Sequence, residues 1–256
     1  MKLLSLVALT MCAFAGNSIL NRAGVDGQGM DPMVFATIRV FAGAVTLALL
    51  LRFQGKPLPL TGKLRWGGAV SLAIYMLGFS WAYITLGAGL GALILFGVVQ
   101  MVMFLWAVAQ RQPIPLLRWI GAAIAFSGLT LLLWPAQAFS VPLGGAISMA
   151  AAGAAWAVYT LLGQQESDAL AATAGNFVLC LPLTAFALLF HELGAVTFAG
   201  VALAVLAGAV TSGLGYALWY RVLPAIPTTL AAVAQLSVPV IAVLAGWQLG
   251  PQLARS

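Results

Sequence analysis

Apolar residues fill runs of about 20 positions along this chain, and the charged residues, Pro and Gly collect in the short gaps between the runs. A helix needs about 20 mostly apolar residues to cross a bilayer. By that measure nine segments are predicted to span: 3–23, 32–51, 66–86, 90–109, 117–134, 142–163, 170–190, 197–219 and 225–249. The longest connection, Arg52 to Arg65, holds the breakers Gly55, Pro57, Pro59 and Gly62, with Lys56 and Lys63 among them. No gap fits a soluble domain. The pattern predicts an all-α integral membrane protein with about nine transmembrane helices.

Composition removes the soluble alternative. The chain is 63% hydrophobic and 6% charged, with a mean hydropathy of +1.07. A soluble domain carries about 25% charged residues. The solvent of this chain is therefore the lipid bilayer. Its net charge of +6 reads as a topology signal, and no nucleic-acid partner is expected. With the N-terminus in the cytoplasm, that side holds Lys2, Arg52, Lys56, Lys63, Arg65, Arg111, Arg118 and Arg221. The other side holds Arg22 and Arg255, and Arg39 lies within a span. Eight against two predicts a multi-pass cell-membrane protein with a cytoplasmic N-terminus, in a bacterium the inner membrane. Nine crossings place the C-terminus outside, and the closing "GPQLARS" is too short and polar to return. Trp66 and Trp119, each following Leu-Arg at the start of a span, are expected at the interface. Lys2, the run 3–15 and Ala13-Phe14-Ala15 resemble a cleavable signal peptide. The helix-compatible continuation through Asn17, Ile19, Leu20 and Asn21 favours a retained helix.

The chain also repeats itself. A shift of 137 lays Ala15-Gly16 on Ala152-Gly153, Asp31 on Asp168 and Arg39 on Asn176. A shift of 135 lays Gly78 on Gly213, Trp81 on Tyr216, Ala82 on Ala217, Leu95 on Leu230, Val98 on Val233 and Gln100 on Gln235. A five-helix unit inverts in its next copy, so the expectation is an inverted repeat with its site at the repeat interface. The units are 1–137, with five spans, and 138–256, with four; the second lacks its last helix.

These residues resemble the EamA branch of the drug/metabolite transporter superfamily. Gly16, Arg22, Pro32 and Arg39 are similar to that family's first-repeat pattern, although Lys is commoner there than Arg22. The aromatic-rich stretch Gly215 to Gly250 is similar to its eighth and ninth helices, with Pro239 on a common helix-breaking proline. Pro251 stands where the family usually has an acidic residue. The resemblance implies a secondary carrier, an exporter of small metabolites or amino acids working by alternating access. A non-transporting membrane partner or an inactive truncated remnant stays open, as does a homodimer.

Candidate chemistry lies in the polar groups within the spans. Asp31 is eight residues from Arg39, too far along one helix for a simple pair. Arg39 either snorkels or bonds neighbouring carbonyls, or it faces a water-filled cavity and attracts an anion such as a carboxylate. Asn17 and Asn21 share a helix face at i, i+4. Tyr83, Gln100, Trp156, Tyr159, Asn176, Tyr216 and Gln235 complete the substrate-binding candidates, a set suited to an amphipathic small molecule. Each could equally serve interhelical packing. The Gly and Ala density, including Gly87, Gly89, Gly91 and Gly97, reads as close helix packing. The acidic residues, Asp26, Asp31, Glu166, Asp168 and Glu192, all sit in loops or at helix ends. No enzyme, metal or cofactor is expected: His191 stands beside Glu192 without a ligand set, no Ser/His/Asp arrangement is evident, and no nucleotide-binding loop occurs. Cys12 and Cys180 lie in apolar runs as packing residues.

Overall fold

A chain this apolar must satisfy its backbone polar groups within its own segments. The computed structural model describes residues 2–86, 88–133 and 142–248, and among them it contains helices and connections but no strand. The helices of the first part are α1 (Lys2–Arg22), α2 (Pro32–Phe53), α3 (Lys63–Ala82), α4 (Ala88–Ala109) and α5 (Leu116–Leu133). Those of the second are α6 (Leu143–Gly163), α7 (Ala169–Ala187), α8 (Phe198–Leu206), α9 (Gly215–Val222), α10 (Thr228–Gln235) and α11 (Ser237–Gln248). A π segment, Ala207–Leu214, joins α8 to α9. A 3-10 turn, Leu223–Ala225, extends α9, so 198–225 is one rod. The expected boundary between fold repeats, near residue 137, lies outside the described residues. So do Gly87, Pro251, Arg255 and the closing segment.

Each of the nine predicted segments is helical over most of its described length. Among the described residues six helices, Lys63–Ala82 not among them, are long and apolar enough to cross a membrane: Lys2–Gly27, Pro32–Phe53, Leu90–Ala109, Leu143–Gly163, Ala169–Phe190 and Phe198–Ala225. Leu116–Gly128 and Thr228–Ala242 are shorter apolar helices. Some boundaries differ from the prediction. The third helix begins at Lys63 and ends at Ala82. The eighth continues past 219, because Pro224 sits in the first turn of the 3-10 segment, where its missing N–H breaks no bond.

Local chemistry sets several ends. Asp31 caps α2, its carboxylate accepting from the Met33 and Val34 amides, with Pro32 at the first helical position. Asp168 caps α7 in the same way, through the Ala171 amide. Pro239 cannot donate to the Gln235 carbonyl four residues back, and the last rod breaks at Leu236, between α10 and α11.

Helices α2 and α7 pack antiparallel. Asp31 at the start of α2 meets His191 beyond the end of α7, and Lys56 beyond the end of α2 meets Asp168 at the start of α7. Around them the contacts are reciprocal. Helix α3 packs on α6 and α7, and the 198–225 rod packs on α1 and α2; α4 packs on α6, and α11 on α1. Close approach needs small residues. A Cβ added at Gly208 would lie 2.1 Å from the Arg39 carbonyl oxygen, so the π segment rests directly on the backbone of α2.

Helix α2 shows how the chain is partitioned. Phe41, Val45, Leu49 and Phe53 form an exposed apolar stripe, while Arg39, Val40, Leu47 and Leu51 are buried. The charge is inside and the hydrocarbon outside, as expected where the surrounding solvent is lipid.

Candidate substrate-binding site

Arg39 is fully buried, about two turns into α2. Its Nε donates to the Ser212 hydroxyl at 2.7 Å, and one terminal nitrogen, Nη2, donates to the Tyr216 hydroxyl at 2.7 Å. The other, Nη1, has no hydrogen-bond partner. Ser212 and Tyr216 are four residues apart on one rod and so present their hydroxyls side by side. The guanidinium carbon also lies 5.8 Å from the Tyr75 ring centroid and 5.9 Å from that of Phe79, in cation–π range. The four ion pairs found among the described residues, those of Asp26, Asp31, Glu166 and Asp168, do not include Arg39. The guanidinium thus neither snorkels nor rests on carbonyls. It is held by hydroxyls and aromatic faces, without a countercharge among the described residues.

Next to it lies a small cavity of ≈ 20 Å³, lined by Phe14, Asn17, Tyr75, Phe79, Trp156 and Tyr216 among others. That is room for about one water. Asn17 accepts from Ser212 at 3.1 Å and from Thr211 at 3.2 Å, linking the cavity wall to the hydroxyl that holds Arg39. The Tyr216 hydroxyl donates on to Tyr75 at 3.3 Å. The wall is an aromatic cluster. Phe14 meets Trp156 and Tyr216 edge-on at 5.3 Å and 5.6 Å, and Trp156 lies 4.8 Å from both Tyr75 and Tyr216. Behind Trp156, its indole N–H donates to Gln235, which is itself fully buried at the break before α11.

Other predicted candidates lie elsewhere. Asn21 donates to Ser80 at 3.3 Å, one turn beyond Asn17. Tyr83 is buried at the end of α3, edge-on to Phe79 at 4.9 Å. Tyr159 stacks on Trp156 and borders Tyr220. Asn176 belongs to a separate network, accepting from Arg65 at 3.2 Å and donating to the Tyr220 hydroxyl at 3.4 Å. Gln100 turns away from the cavity and donates to the Ala122 carbonyl on α5. Gln100 and Gln235 therefore occupy different surroundings, although the repeat aligns them. The sequence reading passed over Tyr75, Phe79, Phe14 and Ser212. Tyr75 and Phe79 on α3 and Tyr83 at its C-cap recur every fourth residue, a ladder that was available as a signal.

The second buried arginine, Arg65, differs from the first. It forms an ion pair with Glu166 and donates to the Ala172 carbonyl at 2.7 Å as well as to Asn176. No group of three or more His, Cys, Asp or Glu that could hold a metal occurs among the described residues.

The long apolar helices and the charge buried among them define a multi-pass membrane protein. Comparison with known proteins gives the family. Residues 143–253 match the model of the EamA-like transporter family. An uncharacterized protein of Pseudomonas aeruginosa is 44% identical over 245 residues, covering 95% of this chain and 84% of its own length. A protein of known crystal structure superposes with a TM-score of 0.81 at 18% identity, covering 98% of this chain and 93% of its own; that likeness is one of fold. The chain belongs to the EamA-like transporter family and is a membrane transporter.

Proposed function

We propose that the protein is a secondary carrier for a small metabolite bearing a carboxylate, amino acids included, and that it works as an exporter by alternating access. The observation that carries this reading is Arg39. A buried charge without a counter-ion costs several kcal/mol, and a carrier recovers that cost when an anionic substrate supplies the missing partner at Nη1. The aromatic wall suits the apolar part of such a molecule. The cavity as it stands is too small for an amino acid, so admission requires the wall to part, which fits a closed intermediate of a cycle. Export and placement in the bacterial inner membrane follow the family resemblance. Two features support an inverted repeat of about nine spans: the aligned residues Asp31 and Asp168 both cap the second helix of their unit, and the contacts between the units are reciprocal. The basic-residue bias supports a cytoplasmic N-terminus.

The test is a thermal-shift screen of detergent-purified protein against amino acids, their amides and uncharged analogues. A ligand that binds the native state raises the apparent midpoint. Carboxylates are expected to raise it and the matching amides are not. Uptake of the labelled hit into vesicles containing the purified protein then separates a carrier from a non-transporting partner. Equal shifts by acids and amides, or binding without uptake, would sink the proposal.

A further inference from the structure

The two ends of the α2–α7 pair are fastened by related contacts. At one end Lys56, in the connection after α2, donates to Asp168, the cap of α7, at 2.7 Å. At the other His191, in the connection after α7, lies 2.7 Å from Asp31, the cap of α2, through its Nε2. The repeat relates these contacts residue by residue. Asp31 aligns with Asp168 at a shift of 137, and Lys56 aligns with His191 at the later shift of 135. Each unit thus supplies one cap carboxylate and one basic residue, and each clasp joins the two units.

The clasps differ in chemistry. The lysine clasp is exposed, with side-chain exposures of 44% and 40%, whereas in the other Asp31 is 4% exposed and His191 22%. Asp31 also accepts from the Gly194 amide at 3.0 Å, and its own amide donates to the Ala195 carbonyl at 2.8 Å, so the connection 191–195 is stitched onto the start of α2. Burial pushes the Asp31 carboxyl up, but the Val34 amide, His191 and the Gly194 amide outweigh it and hold the carboxyl below the usual carboxylate range. The other ionisable groups described at this end are Glu192, Asp26 with Arg22, and the Tyr83 phenol. Of these side-chain types, the imidazole alone ordinarily changes charge between about pH 5 and 8.

We propose that the two clasps are the paired gates of the transport cycle, and that the His191–Asp31 gate is set by pH: protonation of His191 holds that end shut, and deprotonation loosens it. The sign follows from the partners. The carboxylate stays ionised across this range, so an imidazolium gives a charge-assisted bond and a neutral ring an ordinary one. The gate is tightest where the ring is charged and loosest where it is neutral. The opposite clasp holds no imidazole, so that gate is insensitive over the same range. The use of these gates in transport rests on the carrier reading. The gating itself can be measured without any substrate, so either idea can fail alone.

The experiment places a single cysteine at Ser80, buried and next in the chain to Trp81, whose ring lies edge-on to His191, in a chain carrying Cys12→Ser and Cys180→Ala. Its labelling rate by a polar thiol reagent is measured with His191 and with His191→Gln, which imitates the neutral ring. Taking the ratio of the two rates at each pH cancels the ionisation of the thiol. The variant is expected to label about fivefold faster at about pH 5.5, and the ratio to fall to about one at about pH 8.5. With the native cysteines retained, the melting midpoint of His191→Gln should lie a few degrees below that of the unaltered protein at the acid end and match it at the alkaline end. Ratios and midpoint differences that do not change with pH would overturn the proposal, as would the same pH dependence produced by Lys56→Gln.

Discussion

Arg39 and Arg65 are the same side chain at nearly the same burial, 0% and 5% exposed, yet they are kept in opposite ways. Arg65 lies at the start of α3 with a carboxylate, a backbone carbonyl and an amide oxygen around it. Arg39 lies mid-helix with two hydroxyls, two aromatic faces and one unused nitrogen. A paired buried charge ties elements together, and removing its partner is expensive. A buried charge with no acidic partner gains little for the resting fold, which makes it the better candidate for a role in binding. The contrast teaches that burial of an arginine is not informative by itself; what completes its coordination is.

The largest effect is expected from breaking the paired arginine. Glu166→Gln leaves Arg65 buried without its countercharge, at a cost of about 3–5 kcal/mol. Denaturant or thermal unfolding in detergent should register this as a large loss of midpoint. The double variant Arg65→Met with Glu166→Met should recover much of it, since a buried pair is often replaceable by apolar side chains of similar volume. If Glu166→Gln unfolds like the unaltered protein, the pair is no fastening and the comparison collapses.

Arg39→Met tests the other side. Its midpoint should be equal to the parent's or higher, because an uncompensated charge is removed from the interior. Carboxylate-induced stabilisation and vesicle uptake should both drop by more than about tenfold, which corresponds to one charge-assisted hydrogen bond of about 1.5–3 kcal/mol. Arg39→Lys should fail as well, since a single ammonium cannot reach two hydroxyls and a ligand in the planar fork that a guanidinium provides. A marked loss of stability with normal uptake would reverse the assignment of roles.

The cavity boundary is sharpened by the aligned glutamines. Gln235→Ala removes the acceptor of the Trp156 indole N–H and leaves that buried donor unpaired, at about 1–3 kcal/mol. It should also loosen the aromatic wall and weaken ligand stabilisation several-fold. Gln100→Ala removes one bond to the Ala122 carbonyl, away from the cavity, and should leave ligand stabilisation unchanged. Equal effects from the two would restore the matched-depth reading that the repeat alone suggested.

Much of the fold was legible because lipid imposes a simple code. A long apolar run in lipid has to be a helix, so helices among the described residues could be read directly, while their ends moved by a few residues wherever caps and 3-10 turns intervened. Arg39 was legible as a candidate because one charge in the run 33–50 stands out. Its partners were not, since Ser212 and Tyr216 are far away in sequence and nothing about a serine in an Ala/Gly-rich segment announces that it faces an arginine. The surroundings of Gln100 were not legible for a related reason. The repeat aligns positions along a helix axis but does not say what completes the surroundings, and α5 stands beside Gln100 whereas Trp156 stands beside Gln235. Arg65 read as a topology charge because its pairing with Glu166 depends on how α3 meets the α6–α7 connection.

The smallest effect belongs to the exposed clasp. Lys56→Gln should cost no more than about 1 kcal/mol at neutral pH, because both members of the pair are well exposed and water and salt screen them. The loss should shrink further in high salt, where the screening length falls to about 3 Å. Its pH profile adds a second check. The Lys56 ammonium, followed by the Ala171 amide, holds the Asp168 carboxyl below the usual carboxylate range. A carboxyl depressed in the folded state contributes its stability above the unfolded value of about 3.9, and loses it as pH falls through the lowered folded value. The difference between Lys56→Gln and the unaltered protein should therefore be constant from about pH 5 to 8 and vanish in stronger acid. A difference that instead changed across the neutral range would mean that another titrating group answers to this clasp, and that the two ends of the α2–α7 pair are less unlike than their exposures imply.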